Sequence, residues 1–489
     1  MSFAGPSDPS DPLDRRALVA IDLGAESCRV SLLRWLDDGP RFQLVHRFPN
    51  YAHERADGLR WDIEAILEGL HHGLRRCAEV ATEGIRSIAV DGWAVDYVRL
   101  DADGKAVGDP YCYRDERTVA AEPGLHERIT AERMRDITGI QILRINTVYQ
   151  MFADEPERKK LRWLNLPEYV LFRLGGRAVS ERTNATHTQM VGLDGAWSSE
   201  IFSALRQEIA QAPPIVEPGT DVGQLQGELA ALAAFVNTRL IAPACHDTAS
   251  AIAAIPDAGD DWGYISSGTW SLVGTQLKTA VNSTVAREQN FTNLGGADGT
   301  VCFHKNVNGM WLLRQCIEEW TASHATISLP ELVQDAAQFG SRGYVLDLDD
   351  ADLMLQGHMP ERINAQLRRR GLAELSGKPE DAAEMASFLF HSLAARYAVV
   401  LRDVAEITGK RLKRLYIMGG GSQNEFLNRL TAEATGLEVC RAGTECSTVG
   451  NFAVQLAALA PTADAGIARP ACAWAGRLTD IWRRIVQAT

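Results

Sequence analysis

LVAIDLGAESCRVSLLRW, residues 18–35, decides the fold. Its apolar run ends at Asp22, breaks over residues 24–27 and resumes at once through Val30, Leu32 and Leu33. Two short apolar runs around a small-residue break predict two strands joined by a tight turn. A Walker loop would need GxxxxGK[ST] and a dinucleotide turn GxGxxG, each leading into a helix. This segment has one glycine and a second strand, which excludes both. Such a turn can still aim successive backbone N–H groups at a phosphate, with Ser27 and Arg29 adding donors and Asp22 available to a phosphate-bound Mg2+. Taken alone, the segment reads equally well as a plain β-turn beside a chance aspartate.

The same logic returns at WGYISSGTWSLVGTQL, residues 262–277, with the turn at 266–269. Two such hairpins, each opening one half of the chain, suggest a duplicated ATPase core with the nucleotide held between two lobes. A third element, LYIMGGGSQNEFLNRLTAEATG at 415–436, runs from an apolar strand through Gly419, Gly420 and Gly421 into a helix. That helix carries Phe426, Leu430 and Ala434 on one face and closes at Gly436. Three bare glycines at a helix N-terminus would let adenine or an α-phosphate lie against backbone. IAPACHDTASAIAA, 241–254, is strand, polar turn and small-residue helix, and it places Asp247 on rigid elements where a reacting group would sit. The helix N-terminus there favours the ionised carboxylate by ~0.3–1 kcal/mol. The stretch AGTECSTVGNFAVQLAALA reads as scaffold, a helix with Ser447 as its N-cap.

Between these motifs, 42–48 and 58–63 read as strands, 63–80 as a helix, and IRSIAVDGWAVDYVRLDADG as strand again, ending in a DADG turn. Strands and helices in this order fit mixed sheets with helices on their faces. At 489 residues the chain exceeds what one core supports, and two large domains are expected, meeting near Pro256. Residues 1–16, rich in Pro, Ser and Asp, read as a disordered leader without a secretory signal. A net charge of -13 argues against nucleic acid and against an anionic membrane surface. No apolar run approaches the ~18 residues of a membrane span. The nine cysteines stand singly without CxxC or zinc spacing, as expected of a reduced, cytoplasmic protein. His246–Asp247 lacks the further His and Asp ligands of a metal hydrolase, His71, His72, His304 and His358 read as structural or solvated, and Arg368, Arg369 and Arg370 read as an exposed helix end.

Taken in order, IDLGAES, VDGWAVDY, YRDERT, CHDTAS, SSGTWSL, KNVNGMWLL and GGGSQNEFLN resemble the FGGY family of carbohydrate kinases, within the actin, hexokinase and Hsp70 ATPase superfamily. The resemblance covers nearly the whole chain from about residue 17. It implies an α/β fold of two ribonuclease H-like, actin-like ATPase domains, each a mixed sheet flanked by helices, with the active site in the cleft between them. Residues 17–256 would bind sugar and phosphate and carry the base, and residues 257–489 would bind the nucleotide.

The resemblance also assigns roles. Asp247 matches the general base, with His246, Thr248 and Asn306 contacting the sugar and Trp93, Ala94, Asp96 and Tyr113 forming its walls. Gly24, Ala25, Glu26, Ser27, Cys28, Arg29 and Thr269 match the phosphate turns, Gly419, Gly420, Gly421 and Asn424 the nucleotide site, and Asp22 the Mg2+ ligand. Three positions depart from the family pattern. Cys28 and Ala94 stand where similar members have glycine, and Arg314 where they have glutamine. Ala94 would crowd the sugar, while Arg314 is either an ATP contact or a solvated helix residue. The implied reaction is MgATP-dependent phosphorylation of a ketose hydroxyl, L-rhamnulose at O1, by a monomer or homodimer. Sibling kinases acting on L-fuculose, xylulose or another ketose, and a sugar-sensing ATPase, are the alternatives.

Overall fold

The computed structural model describes residues 14–36, 39–256, 259–460 and 470–478. The leader expected over 1–16 therefore lies outside the described residues for positions 1–13. The described chain forms two compact units. One takes the residues up to 256 together with 294–301 and those from 447 onward; the other takes 259–293 and 302–446.

In the first unit β1 (Ala17–Leu23), β2 (Ser27–Leu36), β3 (Gly39–Pro49), β4 (Ile85–Gly92), β5 (Thr220–Gln224) and β6 (Arg239–Ala242) form one sheet in the order β5-β6-β4-β1-β2-β3. β1 pairs antiparallel with β2 and parallel with β4, and β6 runs parallel to β4. All seven residues of β1 are buried, as a central strand covered on both faces must be. Its two faces part company by the period of two. Val19, Ile21 and Leu23 join the core on the side of α1 (Ile63–Val80), while Leu18 and Ala20 pack with Phe452 and Leu456 of a C-terminal helix. Asp22 belongs to that second face. Helix α1 buries Ile63, Ile66, Leu67, Leu70, Leu74 and Cys77 along one stripe, and Asp62 caps it by accepting from Ala65 N at 2.9 Å. Two short helices, α2 (Leu166–Arg173) and α3 (Arg182–His187), precede β5, and α4 (Asp247–Ala253) follows β6.

The second unit repeats the plan. β7 (Trp262–Ser267), β8 (Trp270–Leu277), β9 (Thr292–Gly295), β10 (Val301–Asn308), β11 (Arg414–Met418) and β12 (Glu438–Gly443) lie in the order β9-β10-β8-β7-β11-β12. β7 is antiparallel to β8 and parallel to β11, as β1 is to β2 and β4. Helices α5 (Trp311–Ala322), α6 (Ala382–Thr408) and α7 (Glu425–Thr435) pack over it. Leu389, Leu393 and Tyr397 of α6 share one core with Ile265, Val273, Leu415 and Ile417. Gly409 and Gly436 close α6 and α7 at φ 71 and 67. The last helix, α8 (Cys446–Leu459), belongs to the first unit.

Two expectations need correction. The strand expected to run from 85 to the DADG turn is broken: β4 stops at Gly92 and pairing resumes only at Tyr97, because Val95 sits at φ 70, where no strand continues. Ser447 does not cap α8. It lies inside the first turn and donates its hydroxyl to Asp22 Oδ2 at 3.2 Å, so the helix is more than scaffold. The other surface readings agree with the structure. Arg368 and Arg369 end a helix at the surface, paired with Glu361, Glu374, Asp350 and Asp352. None of the nine cysteines is in a disulfide.

Candidate active site

Three carboxylates converge at the C-terminal ends of β1, β4 and β6. Asp22 and Asp91 are Cα partners across β1 and β4, and Asp247 opens the helix that follows β6. Gly92 ties the third to the second, since its N–H donates to Cys245 O at 2.9 Å. The three feel one another's charge: Asp247 raises the pKa of Asp22, and both raise that of Asp91. Burial is the larger cause for each. Against it, Arg29 Nη1 pairs with Asp22 Oδ2 at 2.9 Å, and Asn451 Nδ2 donates to Asp91 Oδ2 at 2.6 Å. Asp91 Oδ1 is buried with no hydrogen-bond partner.

Asp247 answers a question of balance. The helix N-terminus lowers a carboxylate pKa, and desolvation raises it. Desolvation wins, and the carboxyl is pushed up to about 6, with the Thr248 hydroxyl at 3.1 Å and Arg29 pulling in the opposite direction. The expectation of a readily ionised carboxylate is corrected accordingly, because the N-terminus of a seven-residue helix is a small effect beside the lost hydration of a recessed carboxyl. About 36% of the side-chain surface remains open, so the group is recessed and still reachable. His246 Nε2 lies 3.4 Å from Asp247 Oδ1, and burial holds that imidazole down to about 3, so it is neutral there.

The first hairpin turn is rigid. Asn50 donates to Gly24 O from its side chain and to Glu26 O from its backbone, both at 3.0 Å. A Cβ at Gly24 would sit 2.5 Å from Ser27 O, so only glycine allows this turn. Cys28 points into the core with its thiol pushed up to about 12, leaving only its backbone to serve a phosphate. Ser27 Oγ accepts from Arg47 Nε at 3.1 Å.

The stretch 93–96 forms a wall. Asp96 Oδ2 accepts from Trp61 Nε1 at 2.6 Å, Trp93 Nε1 at 3.0 Å and Tyr113 N at 3.2 Å, and Oδ1 accepts from Gln150 Nε2 at 2.9 Å. With four donors on one buried carboxylate, Asp96 organises the wall. Trp61 and Trp93 stack obliquely with centroids 4.6 Å apart, and Ala94 is buried behind them. A β-branched residue at φ 70 costs of order 1–2 kcal/mol. The Thr147 hydroxyl holds Val95 O at 2.7 Å and maintains that conformation.

In the second unit the β7–β8 turn is just Gly268 and Thr269, and the start of α5 backs it: Met310 N donates to Gly268 O at 3.0 Å and Trp311 N to Thr269 O at 3.2 Å. Asn306 lies half-buried on β10. The triple glycine has two uses. Gly421 is small because a Cβ there would meet Ser267 Oγ at 2.0 Å, and Gly419 takes φ 81, whereas Gly420 alone faces open space. Asn424 spends its Oδ1 capping α7 at Leu427 N, 3.0 Å, and its Nδ2 is buried without a partner. Arg314 leans along its own helix, over the Trp311 ring at 5.3 Å and 3.6 Å from Glu318.

A buried polar stripe escaped the sequence reading. Ser447, Asn451 and Gln455, spaced by four along α8, reach Asp22, Asp91 and, through Gln455, Val19 O and Ser87 Oγ. The spacing by four of Ser447, Asn451 and Gln455 along a largely apolar helix was the available signal.

A duplicated mixed-sheet core with a hairpin turn at the head of each half, and a recessed carboxylate beside the first, is the actin-like ATPase fold of a sugar phosphotransferase. The chain belongs to the FGGY family of carbohydrate kinases, whose N-terminal domain matches residues 17–254 and whose C-terminal domain matches residues 263–459. It is a carbohydrate kinase. It is 34% identical over 467 residues to the rhamnulokinase of Enterococcus faecalis, covering 94% of this chain and 92% of that one. It is 36% identical to the rhamnulokinase of an Enterobacter species, covering 91% and 90%. The crystal structure of gluconate kinase from Lactobacillus acidophilus superimposes with a TM-score of 0.75 at 15% identity, covering 96% of this chain and 98% of that one, a likeness of fold.

Proposed function

We propose that this kinase transfers the γ-phosphoryl group of ATP to the O1 hydroxyl of L-rhamnulose, with Asp247 as general base. The observation that carries the reading is the recessed Asp247 carboxyl, pushed up to about 6 and seated beside a glycine turn and the buried pair Asp22 and Asp91. A base poised within about one unit of neutrality accepts a proton more effectively than an ordinary aspartate and is still ionised at pH 7. In this reading the N-terminal domain binds the sugar and carries the base, and the C-terminal domain binds the nucleotide.

In this scheme the sugar lies against Trp93, Ala94 and Tyr113, with Asp96 fixing the wall and His246, Thr248 and Asn306 offering contacts. Neutral His246 and the Thr248 hydroxyl hold the Asp247 carboxylate for the attacking hydroxyl. As the hydroxyl oxygen bonds to phosphorus, its proton passes to Asp247 and the bond to ADP breaks in line. Backbone N–H groups of the 24–29 turn, with Thr269 of the second turn, cradle phosphoryl oxygens, and positioning supplies most of the catalysis. Gly419, Gly420, Gly421 and Asn424 line the nucleotide. An orphaned oxygen on Asp91, buried next to Asp22, suits a divalent cation, since two desolvated carboxylates otherwise repel. Asp22 and Asp91 would hold Mg2+, which when bound neutralises charge on the phosphoryl oxygens. Among the described residues no helix is long and apolar enough to cross a membrane. The reading is of a cytoplasmic enzyme, monomeric or homodimeric.

An ATP-coupled assay over a panel of ketoses and polyols tests this. L-rhamnulose should give the highest kcat/KM; a higher value with L-fuculose or xylulose reassigns the sugar. ADP release stimulated by no sugar on the panel would sink the kinase mechanism.

A further inference from the structure

The two residues before Asp247 are gripped by a buried network that the reaction scheme leaves unused. Glu181 Oε2 accepts from Cys245 N at 2.8 Å and from the Thr183 hydroxyl, while its Oε1 accepts from Thr183 N at 2.9 Å. Thr183 Oγ1 in turn accepts from His246 N at 3.0 Å. Glu168 supports the arrangement from α2, its Oε1 accepting from Glu181 N at 3.0 Å and its Oε2 from Asn184 Nδ2 at 2.9 Å. Glu168, Glu181, Thr183 and Asn184 are fully inaccessible to solvent.

Glu168, Glu181 and Cys245 bring ligand atoms within 4.8 Å of one another, a spacing that would admit a metal ion. Their chemistry points elsewhere. All four carboxylate oxygens already take N–H or O–H donors, and burial holds the Cys245 thiol well above its ordinary pKa, so it offers no thiolate. Burying carboxylates is costly unless every oxygen is satisfied, and here the donors are the backbone of one particular turn. The turn is clamped from two sides. Glu181 and Thr183 take the N–H groups of Cys245 and His246, and Gly92 N donates to Cys245 O from the end of β4. His187, at the other end of α3, packs its ring edge-on against His246 with centroids 4.7 Å apart.

We infer that Glu181 is a positioning residue for phosphoryl transfer, acting directly on the Cys245 N–H and through Thr183 on the His246 N–H to fix the backbone that presents Asp247. The inference rests on the kinase reading above. Misplacing a reacting group by ~1 Å can cost ~100-fold in rate, so a turn that bears the base gains from a clamp.

The test uses the full-length enzyme and the best sugar of the panel. Glu181→Gln replaces one oxygen with an NH2, so either the Cys245 N–H or the Thr183 N–H loses its acceptor and meets a donor instead. It should lower kcat ~10- to 100-fold while KM for sugar and ATP changes less than ~3-fold. Thr183→Val should do the same, and Thr183→Ser, which restores the hydroxyl, should recover most of the lost rate. The double variant Glu181→Gln/Thr183→Val should lose less than the product of the two single losses, since the two share the link through Thr183. In hydrogen exchange, the peptide around Cys245 and His246 should exchange faster in Thr183→Val, with the β7–β8 turn unchanged. Parallel loss of kcat and rise of KM, a Thr183→Ser as slow as Thr183→Val, or unchanged exchange at Cys245 and His246 would overturn the inference. Should Glu181→Gln fail to fold, the Thr183 pair decides alone. The exchange readout needs no sugar, so a wild type inactive on every ketose would defeat the kinase mechanism and leave the clamp to be judged on its own.

Discussion

The β1–β2 and β7–β8 hairpins have the same topology and opposite chemistry. Each is an antiparallel pair whose first strand also runs parallel to a crossover strand, but only the first turn depends on its glycine: a Cβ at Gly24 would sit 2.5 Å from Ser27 O, whereas one at Gly268 would meet nothing nearer than Trp270 O at 3.8 Å. The first is flanked by buried charge: Asp22 on its own strand, Asp91 on the next, Arg29 across the register and Asp247 nearby. The second is surrounded by hydroxyls and bare backbone, with Ser266, Ser267, Thr269 and the glycines at 419–421. A duplicated core thus divides its labour. In the proposed mechanism the first copy would carry the base and the charged groups, and the second would offer hydroxyls and backbone to the nucleotide.

That division sets the sizes of the mutational effects. Asp247→Asn should reduce kcat by at least ~100-fold with nucleotide affinity nearly unchanged, as expected of a lost general base. Thr269→Val removes one hydroxyl, an interaction of about 0.5–1.5 kcal/mol, and should raise KM for ATP ~2- to 13-fold. Steady-state kinetics on both variants checks the contrast, and a Thr269→Val loss of kcat as large as that of Asp247→Asn would break it.

The turn glycines sharpen the same comparison at about 1–3 kcal/mol, the cost of overpacking. Gly24→Ala drives a Cβ to within 2.5 Å of Ser27 O, which is backbone and cannot retreat. Gly421→Ala meets Ser267 Oγ at 2.0 Å and Ser267 Cβ at 2.7 Å, both side-chain atoms. Both variants should melt lower. Adding Ser267→Gly should restore much of the loss in Gly421→Ala, whereas no side-chain change at 27 should rescue Gly24→Ala. Calorimetry of the three single variants and the double settles which contact each glycine serves.

These particulars also show what the sequence can carry. Both hairpins, the glycine turn and the Asp247 strand-turn-helix were legible because each is a local pattern, an apolar run ended by small residues. Asp91 and Glu181 were hidden because their meaning is non-local. Asp91 matters through its register with Asp22 across a parallel pair, and Glu181 through a turn 64 residues away. Sequence spacing contains neither. Trp93 and Asp96 were correctly grouped, yet the direction of the Asp96 carboxylate, toward four internal donors, is set by tertiary packing. The local helix-dipole argument at Asp247 failed for the same reason: how deeply the carboxyl is enclosed is a property of the whole unit.

Acid should act on the first unit through its histidine pair. Burial holds His187 and His246 down to about 3, against 6.5 for an ordinary imidazole, and His246 further disfavours charge on His187. The unfolded chain therefore takes up protons below about pH 6.5 that the folded unit refuses. The stability is present above 6.5 and lost as pH falls toward about 3. Each histidine contributes about 1 kcal/mol of loss between pH 6.5 and 5.5. The buried carboxyls nearby have raised pKa values and work in the opposite direction, so the variant His187→Phe isolates the effect. Its Tm should fall less steeply than that of the wild type from pH 6.5 to 5. Equal slopes would mean that His187 is not the group refusing the proton.

Arg314 gives the smallest effect and the finest discrimination. Its guanidinium makes a half-exposed contact with Glu318 at 3.6 Å and lies over the Trp311 ring, both within α5. Pairs of this kind contribute about 0.3–0.5 kcal/mol, and salt screens them. Arg314→Gln should therefore shift Tm by about one degree or less and leave KM for ATP within a factor of ~2. An ATP contact behaves differently, because a charge-assisted bond to a phosphate is worth about 1.5–3 kcal/mol and its loss would raise KM for ATP ~10-fold or more. Titration of ADP binding to the two proteins at low and high salt separates the cases. Salt-dependent weakening confined to the wild type would place charge from α5 at the nucleotide, and would give the second hairpin a cation of its own after all.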